Sequence, residues 1–192
     1  MNSDPWLEPL LPLVLERVDS GPVLELGCGS GLDTSVLAMA GCHVIGIDLS
    51  AKAIIEAKAR VLSCELHCQD LRAAFPSTAA GVGVVLASLS LHYFNWNETL
   101  ALARRIHETL SPGGVLLCRL NSTNDQYYGA CGHPKIDANY YLVNGEPKRF
   151  FSKAAVVELF SPGWRMLHIE EKLIHRYDHP KSVWEAFLER AA

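Results

Sequence analysis

Residues 23–31, VLELGCGSG, constrain the fold of this chain more than any other stretch. Val23 to Leu26 predict a buried strand that runs directly into Gly27, Gly29 and Gly31. Glycine has no Cβ, so the backbone here can take positive φ angles and approach a ligand closely. Residues 32–41, LDTSVLAMAG, then predict a helix that ends at Gly41. A strand, a glycine turn and a helix N-terminus in this order predict the ligand crevice of a doubly wound α/β sheet.

An acidic residue marks the end of the next predicted strand, which runs from His43 to Ile47 and is followed by Asp48. A carboxylate at this position can accept hydrogen bonds from both hydroxyls of a ribose, which an apolar or basic residue cannot do. The sequence therefore predicts a site for a nucleotide-containing cofactor.

The spacing of the glycines separates two classes of cofactor site. Dinucleotide-binding proteins favour G-x-G-x-x-G/A, but here Leu32 stands at the third position. The turn is instead G-x-G-x-G, preceded by Glu25, and it resembles motif I of the class I S-adenosylmethionine (SAM) methyltransferases. SAM is cationic near this turn and carries no phosphate, so a neighbouring acid suits SAM better than it suits a pyrophosphate.

The composition and net charge of the chain limit the classes of function that it can have. The 192 residues are 49% hydrophobic and 20% charged, which predicts one α/β domain over residues 1–192. The net charge of −4 and the absence of a Lys/Arg stripe argue against a nucleic-acid partner. The six cysteines are scattered and are predicted to be buried free thiols. Neither a signal peptide nor a membrane span is predicted, so a cytoplasmic location is expected.

The rest of the chain continues the strand and helix alternation. Residues 6–19 predict a leading amphipathic helix, in which Trp6 either packs in the core or reaches the site. Residues 64–68 alternate as an edge strand does, with Cys64 and Cys68 toward the core. Residues 81–87 predict a central strand. Residues 181–190 predict either a strand or a helix, and the family resemblance favours a strand.

The resemblance extends over nearly the whole chain. It includes the LSPGG turn with the VLLCRLN strand, although the acid that often precedes the central strand is replaced by Val82 or Gly83. The stretches NYYLVNGEPKRFFS and HPKSVWEAF are similar to the tellurite-resistance type of small-molecule methyltransferase. The implied fold is α/β: a doubly wound, mostly parallel, Rossmann-like sheet of seven strands with an antiparallel last strand.

The resemblance also implies a set of cofactor-binding residues for SAM and its product S-adenosylhomocysteine (SAH). Asp70 has two interpretations, contact with the adenine amino group or capping of the turn that follows it. The tip of the central strand forms a second cluster, which also includes His92 and Tyr93. The implied cofactor-binding residues are Glu25, Gly27, Cys28, Gly29, Gly31, Asp48, Leu49, Asp70, Leu71, Ser88, Leu89 and Ser90.

Residues 121–151 form the least regular stretch and predict a substrate-side loop that closes over the methyl acceptor. A metal site at Cys131 and His133 is set aside because it lacks a paired ligand spacing. Arg149 is the favoured anion-binding residue. The candidates for orienting the acceptor are His92, His133, Tyr140, Tyr141 and Arg149.

The predicted function is SAM-dependent transfer of a methyl group to a small molecule: a thiol, a chalcogen oxyanion, an amine or a hydroxyl compound. This chemistry needs alignment and exclusion of water, so a general base is optional and none is assigned. Two alternatives stay open, a non-catalytic SAM-binding regulatory module and, less favoured, an NAD-dependent oxidoreductase.

Overall fold

The computed structural model describes residues 4–19, 21–161 and 163–191. Within the described residues there are five α-helices: α1 (Leu11–Arg17), α2 (Leu32–Met39), α3 (Ala51–Arg60), α4 (Trp96–Thr109) and α5 (Lys153–Leu159). The strands of the main sheet are β1 (Val23–Leu26), β2 (Val44–Asp48), β3 (Glu65–Cys68), β4 (Val82–Ser88), β5 (Leu110–Asn121), β9 (Trp164–Ile174) and β10 (Lys181–Arg190). A smaller sheet contains β6 (Lys135–Asp137), β7 (Tyr140–Val143) and β8 (Glu146–Arg149).

The main sheet has the strand order β3-β2-β1-β4-β5-β10-β9. Strands β1 to β5 are parallel, and β10 is antiparallel to both of its neighbours. The predicted seven-stranded sheet is confirmed, and residues 181–190 form the strand that the resemblance favoured. The order of strands reverses between β1 and β4, so ligands are expected at the carboxyl ends of these strands.

Alternation along the central strands divides the core between the two faces of the sheet. In β4, Val84 and Leu86 pack in a cluster with residues of α1 and α2, whereas Val85 and Ala87 pack in a second cluster with residues of α4 and α5. Successive side chains of a strand point to opposite faces, so each face is covered by its own helices. The buried, apolar character of β4 follows from this double covering.

The helix starts follow their sequence signals. Ser50 caps α3 by accepting a hydrogen bond from the Ala53 amide, and Ser152 caps α5 by accepting one from the Ala155 amide. Asn95 and Glu98 form a reciprocal capping box at the start of α4. No helix in the described part of the chain is long and apolar enough to span a bilayer.

Several local predictions need correction. The predicted loop at 121–151 contains the small antiparallel sheet of β6, β7 and β8. The leading segment begins as a 3-10 turn, Glu8–Leu10, and continues as α1. Cys68 and Cys131 are exposed, so the prediction that all cysteines are buried is wrong for them. Cys68 ends β3 at the edge of the sheet, where no further strand covers it.

Candidate functional site

A cavity of about 650 Å³ lies at the carboxyl ends of β1, β2 and β4. This volume is within the range of ordinary ligand pockets. The structure brings all of the predicted cofactor-binding residues except Gly31 to its wall: Glu25, Gly27, Cys28, Gly29, Asp48, Leu49, Asp70, Leu71, Ser88, Leu89 and Ser90. These residues come from four strand ends that are separate in the sequence but adjacent in the sheet.

Each glycine of the turn has a positive φ angle, but the three do different things. A Cβ on Gly27 would overlap the Cβ of Ser90, so Gly27 allows the turn to pack against the end of β4. A Cβ on Gly29 would meet nothing within 4 Å, so this residue keeps the cavity open. A Cβ on Gly31 would lie 3.0 Å from the Cβ of Ala57. Gly31 therefore serves the packing of α2 on α3 and does not line the cavity.

Asp48 is positioned by two backbone amides. Its Oδ2 accepts a hydrogen bond from the Gly29 amide at 2.8 Å, and its Oδ1 accepts one from the Ser50 amide at 2.8 Å. Each carboxylate oxygen can accept a second hydrogen bond, so two acceptor positions remain at the cavity. The carboxylate is thus fixed in orientation and still able to bind a pair of hydroxyls.

Glu25 is buried in the wall of the cavity, with 3% of its surface exposed. Burial is the largest cause that raises the pKa of Glu25 to about 8, and the nearby Asp33 carboxylate is the second. The hydrogen bond that the Thr34 hydroxyl donates to Glu25 at 2.6 Å acts in the opposite direction. The carboxyl group is therefore mostly protonated at neutral pH unless a cation binds beside it. A cationic ligand group fits this position better than a phosphate.

The end of β4 adds polar and strained groups. The Ser90 Oγ is buried and has no hydrogen-bond partner within the described ranges. Leu89 has a φ of 54°, an unusual conformation for a branched residue, and its amide donates to the Arg119 carbonyl. Strain and an unpaired buried hydroxyl at one strand end are typical of a binding site.

Asp70 caps the turn, as one of its two interpretations predicted, and its contact with adenine stays a prediction. Its Oδ1 accepts the Arg72 amide at 2.8 Å, which caps the turn that follows β3, and the residue also lines the cavity. Trp6 likewise packs in the core and donates from its indole nitrogen to Asp33 Oδ1 at 3.2 Å. Asp33 lies on the cavity wall, so the leading segment contacts the site through this bond.

None of the five predicted acceptor-orienting residues lines this cavity. His92 is buried and packs against Tyr93 with tilted rings whose centroids are 4.1 Å apart, and burial lowers the pKa of His92 well below the ordinary value. The Tyr140 hydroxyl donates to the Tyr93 carbonyl at 3.3 Å. Tyr141 is half-buried near Phe150, and His133 is half-buried in the loop before β6.

Arg149 is turned away from the cavity. Its Nε donates to the Phe94 carbonyl at 3.1 Å, and its Nη1 donates to the Ala138 carbonyl at 3.3 Å. Its guanidinium also lies over the Tyr140 ring, 4.7 Å from the centroid. These contacts connect the small sheet to the segment after β4, so Arg149 positions part of the wall rather than contacting the cavity itself.

Other residues complete the wall, and most of them were missed by sequence reasoning. Tyr93 lies on the cavity wall after the tip of β4, where the sequence predicted a second cluster of site residues. Asp33 directly follows the glycine turn and could have been found from that position. Glu146 and Pro147 of β8, and Arg176 and Tyr177 after β9, carry no sequence signal because they reach the cavity only through the tertiary fold.

Comparisons with known proteins agree with this geometry. A family described as a methyltransferase domain matches residues 23–114. A trans-aconitate 2-methyltransferase of Paracidovorax citrulli is 34% identical over 100 residues, 51% of this chain and 38% of that protein. The chain spans about half or less of the length of the curated relatives it matches. Residues 23–114, which contain the glycine turn, Asp48 and β4, thus match a methyltransferase domain, as the resemblance to the class I SAM-dependent methyltransferases predicted.

Solved methyltransferase structures share the fold. A SAM-dependent methyltransferase from Methanosarcina mazei superposes with a TM-score of 0.76 at 17% identity, covering 94% of this chain and 97% of that one. The 1,6-didemethyltoxoflavin-N1-methyltransferase of Burkholderia thailandensis gives a TM-score of 0.71 at 16% identity, covering 97% and 78%. The predicted family and its cofactor class are confirmed. The narrower similarity to the tellurite-resistance type of methyltransferase stays a prediction.

Proposed function

We propose that this chain binds SAM in the cavity and transfers its methyl group to a small-molecule acceptor. The observation that carries the proposal is the arrangement of Asp48 and Glu25 around one glycine turn. Asp48 is held by two amides with acceptor positions to spare, and Glu25 is buried where a cation would ionise it. A ribose and a cationic amino acid moiety in one ligand satisfy both groups.

The residues of the wall divide by the part of the cofactor that they suit. Asp48 would accept hydrogen bonds from the ribose hydroxyls, and Asp70 and Leu71, which line the same cavity, would contact the adenine. Glu25 would ionise beside the ammonium group, and the unpaired Ser90 hydroxyl offers a further polar contact. When bound, SAM supplies an electrophilic methyl group on its sulfonium.

The acceptor is assigned to the part of the wall formed outside the glycine turn, by Tyr93, Glu146, Arg176 and Tyr177. These residues replace the five predicted from sequence. Burial raises the pKa values of Tyr93 and Tyr177, so both phenols stay protonated at neutral pH and act as hydrogen-bond donors rather than bases. Their contribution is to orient the acceptor and to exclude water.

The small size of the acceptor is supported by the site itself and by the relatives. A cavity of about 650 Å³ has room for a cofactor and a small molecule together. The names of two related proteins, which act on trans-aconitate and on 1,6-didemethyltoxoflavin, also point to small acceptors.

Calorimetry with SAH and with NAD tests the cofactor, and a screen with methyl-labelled SAM tests the reaction. We expect saturable SAH binding, no NAD binding, and label transfer to at least one compound among thiols, chalcogen oxyanions, amines, carboxylates and phenols. NAD binding without SAH binding would contradict the cofactor assignment. SAH binding without transfer to any compound would favour the non-catalytic SAM-binding module.

A further inference from the structure

We propose that the acceptor carries a carboxylate group, which binds the Lys181 ammonium beside the rings of Tyr128 and Tyr177. This inference rests on the proposed methyltransferase function and names the acceptor class for the same site.

Lys181 is a buried cation without a close anionic partner. Only 8% of its surface is exposed. Its Nζ lies 5.2 Å from the centroid of the Tyr128 ring and 5.4 Å from that of Tyr177. In the described part of the chain, Nζ makes no hydrogen bond and has no carboxylate within 4.0 Å, and it is not among the unpartnered polar atoms that are shut off from solvent. An ammonium has three hydrogens to donate, and aromatic faces do not satisfy them as an anion does.

The position of Lys181 connects it to the acceptor side of the cavity. It is the first residue of β10, which pairs with β5 beside the carboxyl end of that strand. Tyr177, whose ring it contacts, is itself part of the cavity wall. Lys181 itself does not line the cavity, so the proposal requires the ring of Tyr177, which is 37% exposed, to move aside when the acceptor binds.

Two of the three charged neighbours of Lys181 form ion pairs with other residues. Lys148 lies 3.7 Å from Glu146, and Arg119 lies 2.8 Å from Asp4. Asp125 is the nearby acid: its Oδ1 accepts the amides of Tyr127 and Tyr128, and its Oδ2 is buried with no hydrogen-bond partner among the described residues.

Burial, opposed by Asp125 and aided by Lys148 and Arg119, lowers the pKa of Lys181 to about 8. The pKa of His92 is lowered by burial and also by the charges of Lys181 and Lys148, so its imidazole is neutral. The Nδ1 of this imidazole has no hydrogen-bond partner among the described residues. A carboxylate would supply the charge and the acceptors that these groups lack.

The alternative is a structural role, in which the Lys181 charge only holds the two tyrosine rings together. The two roles predict different ligand dependence. A structural lysine would affect folding and all ligands alike, whereas an anion-binding lysine would affect only ligands with a negative charge.

The experiment uses matched acid and amide probes on SAH-saturated protein. Benzoate, cinnamate and succinate are titrated by calorimetry, together with benzamide, cinnamamide and succinamide. We expect at least one acid to bind saturably and at least tenfold more tightly than its amide. In Lys181→Gln this preference should fall at least tenfold, while Lys181→Arg retains part of it. Lys172→Gln is the matched control, because Lys172 is only half-buried on β9 and paired with Glu170 at 2.6 Å.

Three outcomes would overturn the proposal: no acid binds better than its amide, the preference persists in Lys181→Gln, or Lys181→Gln loses SAH affinity. The last would assign the lysine to the carboxylate of the cofactor. Failure of the unmodified protein to bind SAH is a separate outcome, which would contradict the proposed function instead.

Discussion

Replacing Glu25 by Gln removes a buried titrating group and preserves its shape. Glutamine can still accept the hydrogen bond from the Thr34 hydroxyl, so the packing around β1 is retained. The change therefore isolates the cost of ionising this side chain in the wall of the cavity.

The size of the effect follows from the pKa of Glu25, which burial raises from 4.5 to about 8. In the unfolded chain Glu25 ionises near the lower pKa. Between pH 4.5 and about 8 the folded state therefore holds a proton that the unfolded state has lost. The contribution of Glu25 to stability is fully present below pH 4.5 and is lost as pH rises toward 8. At about 1.4 kcal/mol per pH unit, the free energy of unfolding should fall by about 2.5 kcal/mol from about pH 5.5 to 7.5, relative to Glu25→Gln.

Urea unfolding followed by tryptophan fluorescence at the two pH values measures this difference. Glu158→Gln is the control, because Glu158 is exposed on α5 and its replacement removes no buried group. A difference between wild type and Glu25→Gln that is the same at both pH values would refute the reasoning. Saturating SAH should reduce the pH dependence, because a bound ammonium favours the ionised carboxylate.

Four further substitutions test the remaining parts of the site. Asp48→Ala should weaken SAH binding by about 1.5–3 kcal/mol in calorimetry, and unchanged affinity in a folded variant would contradict its role. Gly27→Ala should lower the free energy of unfolding by about 2 kcal/mol or more, because the new Cβ would overlap Ser90. Gly29→Ala should lower it by only about 1 kcal/mol but should weaken SAH binding. Equal losses of stability and of SAH affinity in the two variants would contradict the different roles of these glycines. Arg149→Ala should destabilise by about 2–3 kcal/mol in urea and leave SAH affinity nearly intact, since the Phe94 and Ala138 carbonyls lose their donor; full stability would disprove its positioning role.

The sequence by itself determined the cofactor side of the site. The glycine turn, Asp48 and the tip of β4 each follow a strand, and parallel strands bring their carboxyl ends to one edge of the sheet. Local chemistry and this topological rule were enough to place all but one of the predicted cofactor-binding residues on the cavity wall. Gly31 was the exception, since its contact with Ala57 depends on how two helices pack.

Only the tertiary structure decided the acceptor side. Arg149 precedes two phenylalanines, a pattern that suggested an anion site, but folding of the small sheet turns its guanidinium to the Phe94 and Ala138 carbonyls. Tyr177 and Lys181 come together with residues of the first half because β10 inserts between β5 and β9. Side-chain direction in such non-local contacts is set by packing between distant segments, and no periodicity or spacing within either segment records it.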